Sequence, residues 1–168
     1  MPSPHYTPTM AKTRTRSPES AAGAATDLLA LDRQVCFALA VASRTVISLY
    51  RPLLEPMGLT HPQYLVMLAL CEAEPLRVNE LADRLSLEPA TLSPLLKRLE
   101  TGGLVARRRD PHDERAVAVT LTPAGRRLRA SAEQIPPAVL ARLGMELGEL
   151  EELRDRLTTV IEAARRVE

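Results

Sequence analysis

The fold is decided by residues 78–121, VNELADRLSLEPATLSPLLKRLETGGLVARRRDPHDERAVAVTL. A short helix fits Val78–Leu85, and the turn after it leads to Pro89, a residue suited to the first turn of a helix. That second helix is predicted to run to Thr101, where Gly102-Gly103 provides a C-terminal stop. A short helix, a brief turn and a longer helix have the proportions of a helix-turn-helix.

The second half of this stretch predicts a β-hairpin. Leu104–Arg109 and Ala116–Leu121 have the composition of strands, and polar, turn-forming residues 110–114 join them. A hairpin directly after a helix-turn-helix is a wing. The predicted fold is therefore mainly α with a small β-hairpin wing, a winged helix-turn-helix with N- and C-terminal dimerisation helices.

Apolar stripes on both sides of this stretch predict the dimerisation helices. Apolar residues recur at steps of three and four from Asp27 to Leu53, and a second stripe runs from Leu147 to Ala164. These helices carry more apolar face than a winged module needs, which favours packing against a second copy. A dimeric helix-turn-helix binds the two halves of an inverted repeat. The alternative is a monomer whose helices fold back on themselves.

The chain is interpreted as one domain with a tail. Residues 1–26, rich in Pro, Ser, Thr and Ala, are predicted to be disordered, and residues 27–168 form the domain. Within it, the winged helix-turn-helix spans about residues 60–123, and the dimerisation helices span about residues 27–55 and 124–166.

Composition excludes several classes of protein. With 168 residues, seven glycines and no GxGxxG or GxxxxGK[ST], the chain shows no nucleotide-binding loop. We find no signal peptide and no apolar run of roughly 18 residues, so we expect a cytoplasmic protein without a membrane partner. No catalytic triad, carboxylate pair or metal cluster is evident, so we predict no enzyme, metal or cofactor. Cys36 and Cys71 form no CxxC motif and are expected to be thiols.

Basic residues concentrate on the predicted DNA-reading elements. The net charge of +1 hides a basic segment, residues 97–115, and an acidic end in which the last 24 residues hold seven acids and four arginines. Cations on a helix-turn-helix and its wing are what phosphate contact requires, and a merely solvated surface would not explain this coincidence. The predicted DNA-binding residues are Ala90, Thr91, Ser93, Pro94, Lys97, Arg98, Arg107, Arg109, Asp113 and Arg115.

These residues have different expected roles. Small side chains at the start of the second helix allow close approach to base edges, and Thr91 and Ser93 can donate or accept hydrogen bonds. Lys97 and Arg98 can reach phosphate or a guanine edge. Asp113 is expected to orient Arg115, which is placed to enter an A·T-type minor groove.

Two sets of motifs carry a resemblance to a known family. Asp110-Pro111-His112-Asp113-Glu114-Arg115 and Leu121-Thr122-Pro123-Ala124-Gly125, after the helix-turn-helix, resemble the MarR family of bacterial dimeric winged-helix regulators. Within it, the chain is similar to the organic-hydroperoxide regulators. The matching runs are Gln34-Val35-Cys36-Phe37-Ala38-Leu39, Tyr50-Arg51-Pro52-Leu53-Leu54, Pro62-Gln63-Tyr64-Leu65-Val66-Met67-Leu68 and Thr91-Leu92-Ser93-Pro94-Leu95-Leu96-Lys97-Arg98-Leu99-Glu100.

This resemblance implies a redox site. Cys36 is the implied peroxide-sensing thiol, and Tyr50 of the partner subunit hydrogen-bonds its sulfur. His61 and Ala40 stand where these regulators usually carry tyrosines; His61 could replace one as a donor or, if protonated, lower the thiol pKa, or it could mark a pocket that binds another ligand. Cys71 stands where they usually carry Trp and is interpreted as buried filler, with a resolving thiol as the alternative. The region around residues 143–144 lacks their second cysteine, so an oxidised Cys36 needs an external small thiol or oxidises further.

Three hypotheses for the function follow from these residues. The first is a DNA-binding repressor released when an organic hydroperoxide oxidises Cys36. The second is a repressor released by a small lipophilic or phenolic ligand, without cysteine chemistry. The third, an enzyme such as a thiol peroxidase, finds no supporting constellation. The expected partners are thus double-stranded DNA, a second copy of the chain, and a small thiol or small-molecule inducer.

Overall fold

A computed structural model describes the backbone of residues 30–110 and 113–167, and side chains in this part other than those of residues 32, 110 and 113–115. The predicted tail and the wing turn at Pro111-His112 lie outside the described residues, as do the side chains of Asp113 and Arg115. The chain divides into two compact units, Met1–Ala40 and Val41–Glu168, which are described separately.

Helices dominate the chain. In chain order the elements are α1 (Val35–Leu54), α2 (His61–Glu72), β1 (Leu76–Arg77), α3 (Val78–Leu85), α4 (Pro89–Thr101), β2 (Val105–Asp110), β3 (Asp113–Leu121), α5 (Pro123–Ala132), α6 (Ile135–Leu143) and α7 (Leu147–Arg165). The predicted fold class, mainly helical with a hairpin wing, is confirmed.

The first unit shows where α1 begins. Leu31–Arg33 form a 3-10 turn, which the Gln34 amide closes by donating to the Leu31 carbonyl at 3.1 Å. The backbone of Gln34 is extended, with ψ at 112°, so the α-helix starts only at Val35. The sequence predicted one helix from Asp27. Among the described residues, this prediction starts the helix too early.

The core of the second unit lies around α2. Capping begins this helix, because the Gln63 carboxamide oxygen accepts from the Thr60 amide at 2.9 Å. Residues on several sides of α2 are buried, including Val66 and Leu70, which are fully enclosed. A helix that is apolar around much of its circumference belongs in a core, and α2 packs against the helix-turn-helix and the sheet.

The sheet has three antiparallel strands in the order β1-β3-β2. Val105 pairs with Leu121 and Arg107 with Val119, which also pairs with Leu76 of β1. The sequence predicts the hairpin but not β1, because two residues are too few to show an alternating pattern. Through β1, the wing is hydrogen-bonded to the segment that begins α3.

The C-terminal part contains three helices. Pro136 and Pro137 lie at the start of α6 and lack amide hydrogens, which suits them to a first turn but not to a continuous helix. Gly144, at φ 64°, ends α6 in a left-handed conformation. The following helix, α7, has no buried residue, and its exposed apolar side chains include Leu147, Leu153, Val160 and Ile161.

One segment also meets a criterion for membrane spans. By length and composition alone, Val35–Met57 could cross a membrane, a segment that the sequence pattern did not predict as a span. A single helix of this kind is weak evidence, because a helix whose apolar face is covered by protein meets the same criterion.

Candidate DNA interface and thiol sites

Helix α4 separates a buried face from an exposed one. Leu92, Leu96 and Leu99 are almost completely buried. Every residue on α4 that the sequence analysis selected lies on the exposed side: Ala90, Thr91, Ser93, Pro94, Lys97 and Arg98. Leucines at steps of three and four therefore fix which side of the helix faces outward.

The polar groups on this exposed side are partly engaged. The Ser93 hydroxyl donates its hydrogen to the Pro89 carbonyl at 2.8 Å. The hydroxyl oxygen is therefore left to accept a hydrogen bond from a binding partner. Thr101 donates to the Lys97 carbonyl at 2.9 Å. Pro94, Lys97, Arg98 and Thr101 line a shallow groove of about 380 Å³. An open groove with two cations suits a polyanion better than an enclosed apolar ligand.

The arginines of β2 face two ways. Because side chains alternate along a strand, Arg107 and Arg109 share the face of Val105, while Arg108 lies on the opposite face. Arg109 is exposed. The guanidinium of Arg107 instead contacts the Glu100 carboxylate, with Nε at 2.9 Å and Nη2 at 2.5 Å from the same oxygen, Oε2. This bond lowers the pKa of Glu100.

The two cysteines differ in exposure. Cys36, in the first unit, is a free thiol and exposed. Cys71, on α2 in the second unit, is a free thiol and half-buried, and burial is the main cause that raises its pKa. A buried thiol with a raised pKa holds little thiolate, the form that reacts with peroxide. These properties agree with the interpretation of Cys71 as a packing residue.

An aromatic cluster joins the end of α1 to the start of α2. The rings of Tyr50 and His61 meet edge-on, with centroids 4.8 Å apart, and the centroid of Tyr64 lies 6.0 Å from that of Tyr50. Burial lowers the pKa of His61. The imidazole is therefore neutral at neutral pH, which favours a hydrogen-bonding role over the role of a cation that lowers a thiol pKa.

A groove lies beside this cluster. Its volume is about 740 Å³, and His61 forms part of its wall. Ile47, Leu54 and Leu59 supply apolar surface, Arg44 and Arg51 supply positive charge, and Glu55 supplies one carboxylate. Such a lining suits a ligand with an apolar body and an anionic end. Among the described residues, no cluster of three or more His, Cys, Asp or Glu could hold a metal ion.

A polar junction that the sequence does not predict lies at the base of the wing. Oε2 of Glu74 accepts from the Leu121 amide at 2.7 Å, and Oε1 accepts from Nε of Arg126 at 2.9 Å. One carboxylate thus joins the end of β3 to α5. The partners lie 47 and 52 residues from Glu74, so no local pattern could have revealed them.

The helix pair α3–α4, followed by the β2–β3 hairpin with cations on both, defines a winged helix-turn-helix protein. A sequence model of the MarR family matches residues 57–116. The organic hydroperoxide resistance transcriptional regulator of Bacillus subtilis is 41% identical over 137 residues, which cover 81% of this chain and 92% of that regulator. The chain belongs to the MarR family and is a transcriptional regulator of the MarR type.

Solved structures agree with this assignment. Reduced AbfR bound to DNA has a TM-score of 0.72 and 32% identity, covering 82% of this chain and 94% of that one; AbfR comes from Staphylococcus epidermidis. CouR from Rhodococcus jostii, bound to p-coumaroyl-CoA, has a TM-score of 0.68 and 30% identity, covering 79% of this chain and 94% of that one.

Proposed function

We propose that this chain is a cytoplasmic homodimeric repressor, released from an inverted-repeat operator when an organic hydroperoxide oxidises Cys36. The observation that carries the proposal is the exposed, free thiol of Cys36 in a chain 41% identical to an organic hydroperoxide resistance regulator. An exposed thiol is accessible to a small oxidant in a way that the half-buried Cys71 is not.

Unpaired apolar surface supports the homodimer. Helix α7 carries exposed apolar side chains along its length, among them Leu153 and Val160, and α1 carries others. Contiguous apolar surface of this kind is typical of interfaces, and a second copy is the usual partner because twofold dimers are the commonest oligomers. A twofold dimer presents two copies of α4 to an inverted repeat.

Exposed groups on α4 and the wing support the DNA contact. Small residues at the start of α4 allow approach to base edges, and Lys97 and Arg98 follow one turn later on the exposed side. Arg109 adds a cation on the wing, and Asp113 and Arg115 remain predictions for the wing tip. The solved relative AbfR is bound to DNA both in a reduced and in an overoxidised form.

The proposed chemistry begins at the Cys36 sulfur. The thiolate attacks one peroxide oxygen, so an S–O bond forms while the O–O bond breaks. Sulfur loses two electrons and becomes a sulfenic acid, and the alkoxide leaves as an alcohol after taking a proton. A small external thiol then condenses with the sulfenic acid, which releases water and leaves a mixed disulfide. Each protein thiol consumes one peroxide, as expected of a sensor and not of an enzyme.

Tyr50 and His61 are proposed to hold the oxidised sulfur. In this proposal Tyr50 of the partner subunit donates its phenol hydrogen to the sulfur of Cys36, and His61 donates from a neutral imidazole. Sulfenic acid adds a polar oxygen that requires its own hydrogen bonds. The aromatic cluster must then rearrange, and the change in α1 and α2 alters the separation of the two copies of α4.

The test compares three proteins on one duplex. Wild type, Cys36→Ser and Cys71→Ser are titrated with cumene hydroperoxide while bound to a duplex that the wild type has selected from a randomised pool. We expect near-stoichiometric peroxide to release wild type and Cys71→Ser, whereas Cys36→Ser binds equally well and is not released. Release of Cys36→Ser, or catalytic consumption of peroxide by wild type, would overturn the proposal.

A second candidate function is release by a small ligand, and the groove beside His61 favours it. Its apolar wall and two arginines fit an aromatic or aliphatic acid, and the solved relative CouR is bound to p-coumaroyl-CoA. The same duplex assay distinguishes the candidates. Release by p-coumaric acid or its CoA thioester, unchanged in Cys36→Ser and lost in Arg44→Gln with Arg51→Gln, would establish this function in place of peroxide sensing.

A further inference from the structure

The contact between Glu100 and Arg107 links the two elements proposed to bind DNA. Glu100 is the second-last residue of α4, and Arg107 lies near the middle of β2. Two guanidinium nitrogens approach one carboxylate oxygen, at 2.9 Å and 2.5 Å. Helix α4, the proposed recognition helix, and strand β2 of the wing are therefore joined by a side-chain contact as well as by the backbone between them.

The position of Glu100 is unfavourable for the helix by itself. The C-terminal end of a helix carries partial negative charge, so an acidic residue in the last turn is destabilising unless a cation neutralises it. Arg107 supplies that cation. With side chains 33% and 39% exposed, the pair contributes little to overall stability, so its main effect is on the geometry it fixes.

The backbone brings Arg107 to Glu100 in a defined way. After α4, the left-handed Gly103 reverses the chain, and the Leu104 amide donates to the Leu99 carbonyl at 2.9 Å. Val105 is buried against the core, so Arg107, two residues later, projects from the same face of β2. The guanidinium thereby reaches the last turn of α4 instead of extending outward.

We propose that Arg107 is a positioning residue that acts through Glu100 to fix the recognition helix relative to the wing, and that it is not a phosphate ligand. This rests on the proposed DNA binding. It reassigns one of the predicted DNA-binding residues and leaves Lys97, Arg98 and Arg109 as candidate phosphate contacts. The contact also explains why an acidic residue is tolerated close to DNA, because Arg107 compensates the charge of Glu100 in the free protein.

The test uses the salt dependence of binding, because each phosphate contact contributes about −0.9 to the log–log slope. Affinity for the selected duplex is measured between about 50 and 200 mM salt for wild type, Arg107→Gln, Glu100→Gln and the exchanged double variant Glu100→Arg with Arg107→Glu. Arg109→Gln, on the same face of β2, is the matched control. Thermal unfolding and affinity for a scrambled duplex are measured alongside.

We expect each single variant to bind DNA roughly fivefold more weakly per subunit, which corresponds to the largest interaction energy typical of an exposed ion pair. The salt slope and the unfolding temperature should stay unchanged. The exchanged variant should recover most of the affinity, and Arg109→Gln should flatten the slope. A slope flattened by about 1.8 in the Arg107→Gln dimer, tighter binding by Glu100→Gln, or wild-type affinity in both single variants would each overturn the proposal. If wild type selects no duplex, the proposed function itself fails, an outcome that is distinct from all of these.

Discussion

The imidazole of His61 stands edge-on to the ring of Tyr50, with 4.8 Å between their centroids. This contact joins the last turns of α1 to the first residue of α2. Burial keeps the imidazole neutral by lowering its pKa, so the cluster contains an uncharged hydrogen-bond donor. The same burial makes the cluster sensitive to acid.

We predict that acidification destabilises the protein through His61. Its pKa is lower when folded than when unfolded, so the unfolded chain takes up the proton first, and the free energy of unfolding falls as pH drops below about 6.5. Above that pH the contribution is complete. Urea unfolding between about pH 7.5 and pH 5 measures the effect. His61→Phe keeps a ring and cannot titrate, so an equally steep pH dependence in that variant would contradict the assignment.

Gly125 should not tolerate a side chain. A Cβ at this position would collide with the backbone carbonyl of Leu104, because Thr122 holds the start of α5 against this segment by accepting from the Gly125 amide at 3.0 Å and donating to the Gly103 carbonyl at 2.6 Å. We expect Gly125→Ala to lower the free energy of unfolding by about 1–3 kcal/mol. Chemical denaturation checks this value.

Gly148→Ala is the matched control for that substitution. Gly148 is also in a helix, yet nothing lies within 4 Å of its Cβ position. Alanine favours the helix by up to about 1 kcal/mol relative to glycine, so this variant should be at least as stable as wild type. Equal losses in both variants would show that helix position and not the contact with Leu104 controls the effect.

The exposed apolar face of α7 should be required for dimerisation. We expect the double variant Leu153→Asp with Val160→Asp to sediment as a folded monomer and to lose tight binding to an inverted repeat, because buried carboxylates disrupt an apolar interface. Circular dichroism establishes that it is folded. Glu151→Lys changes charge on the same helix and should remain dimeric. A dimeric double variant would place the interface elsewhere.

Arg115→Ala should weaken operator binding by about 1–3 kcal/mol if its side chain reads a groove. The loss should be greatest on duplexes with A·T pairs opposite the wing, because a narrow minor groove attracts arginine. Fluorescence anisotropy on paired duplexes measures both effects. Arg166→Ala, which removes an exposed cation after α7, is the control; identical affinity of Arg115→Ala and wild type would mean that the wing tip does not contact DNA.

Much of the fold could be predicted from local patterns. Leucines at helical spacing, with Pro89 as the first residue and Gly102-Gly103 after the last, set the bounds of α4, and both bounds agree with the structure. The winged fold and membership of the MarR family are likewise confirmed. The two-residue strand β1 and the late start of α1 were missed, because a two-residue strand is too short for periodicity and the extended Gln34 interrupts an otherwise apolar stripe.

The contacts within the candidate sites could be predicted less well than the fold. The sequence selects Arg107 and Arg109 of β2 as candidates for DNA contact, but it does not show that Arg107 contacts Glu100, seven residues earlier. Glu74 and Gly125 owe their importance to Arg126 and to the Leu104 carbonyl, partners that only the folded backbone brings close. The roles of Cys36, Tyr50 and the wing residues in binding and sensing stay predictions.

The pairing of β1 with β3 has a consequence for regulation. Because Leu76 lies opposite Val119, the strand that begins the helix-turn-helix and the strand that ends the wing belong to one sheet. In the proposed complex, this pairing would keep α4 and the wing of one subunit at a constant spacing. An inducer would then act on the distance between the two subunits, so inserting one base pair at the operator centre should weaken binding as an inducer does.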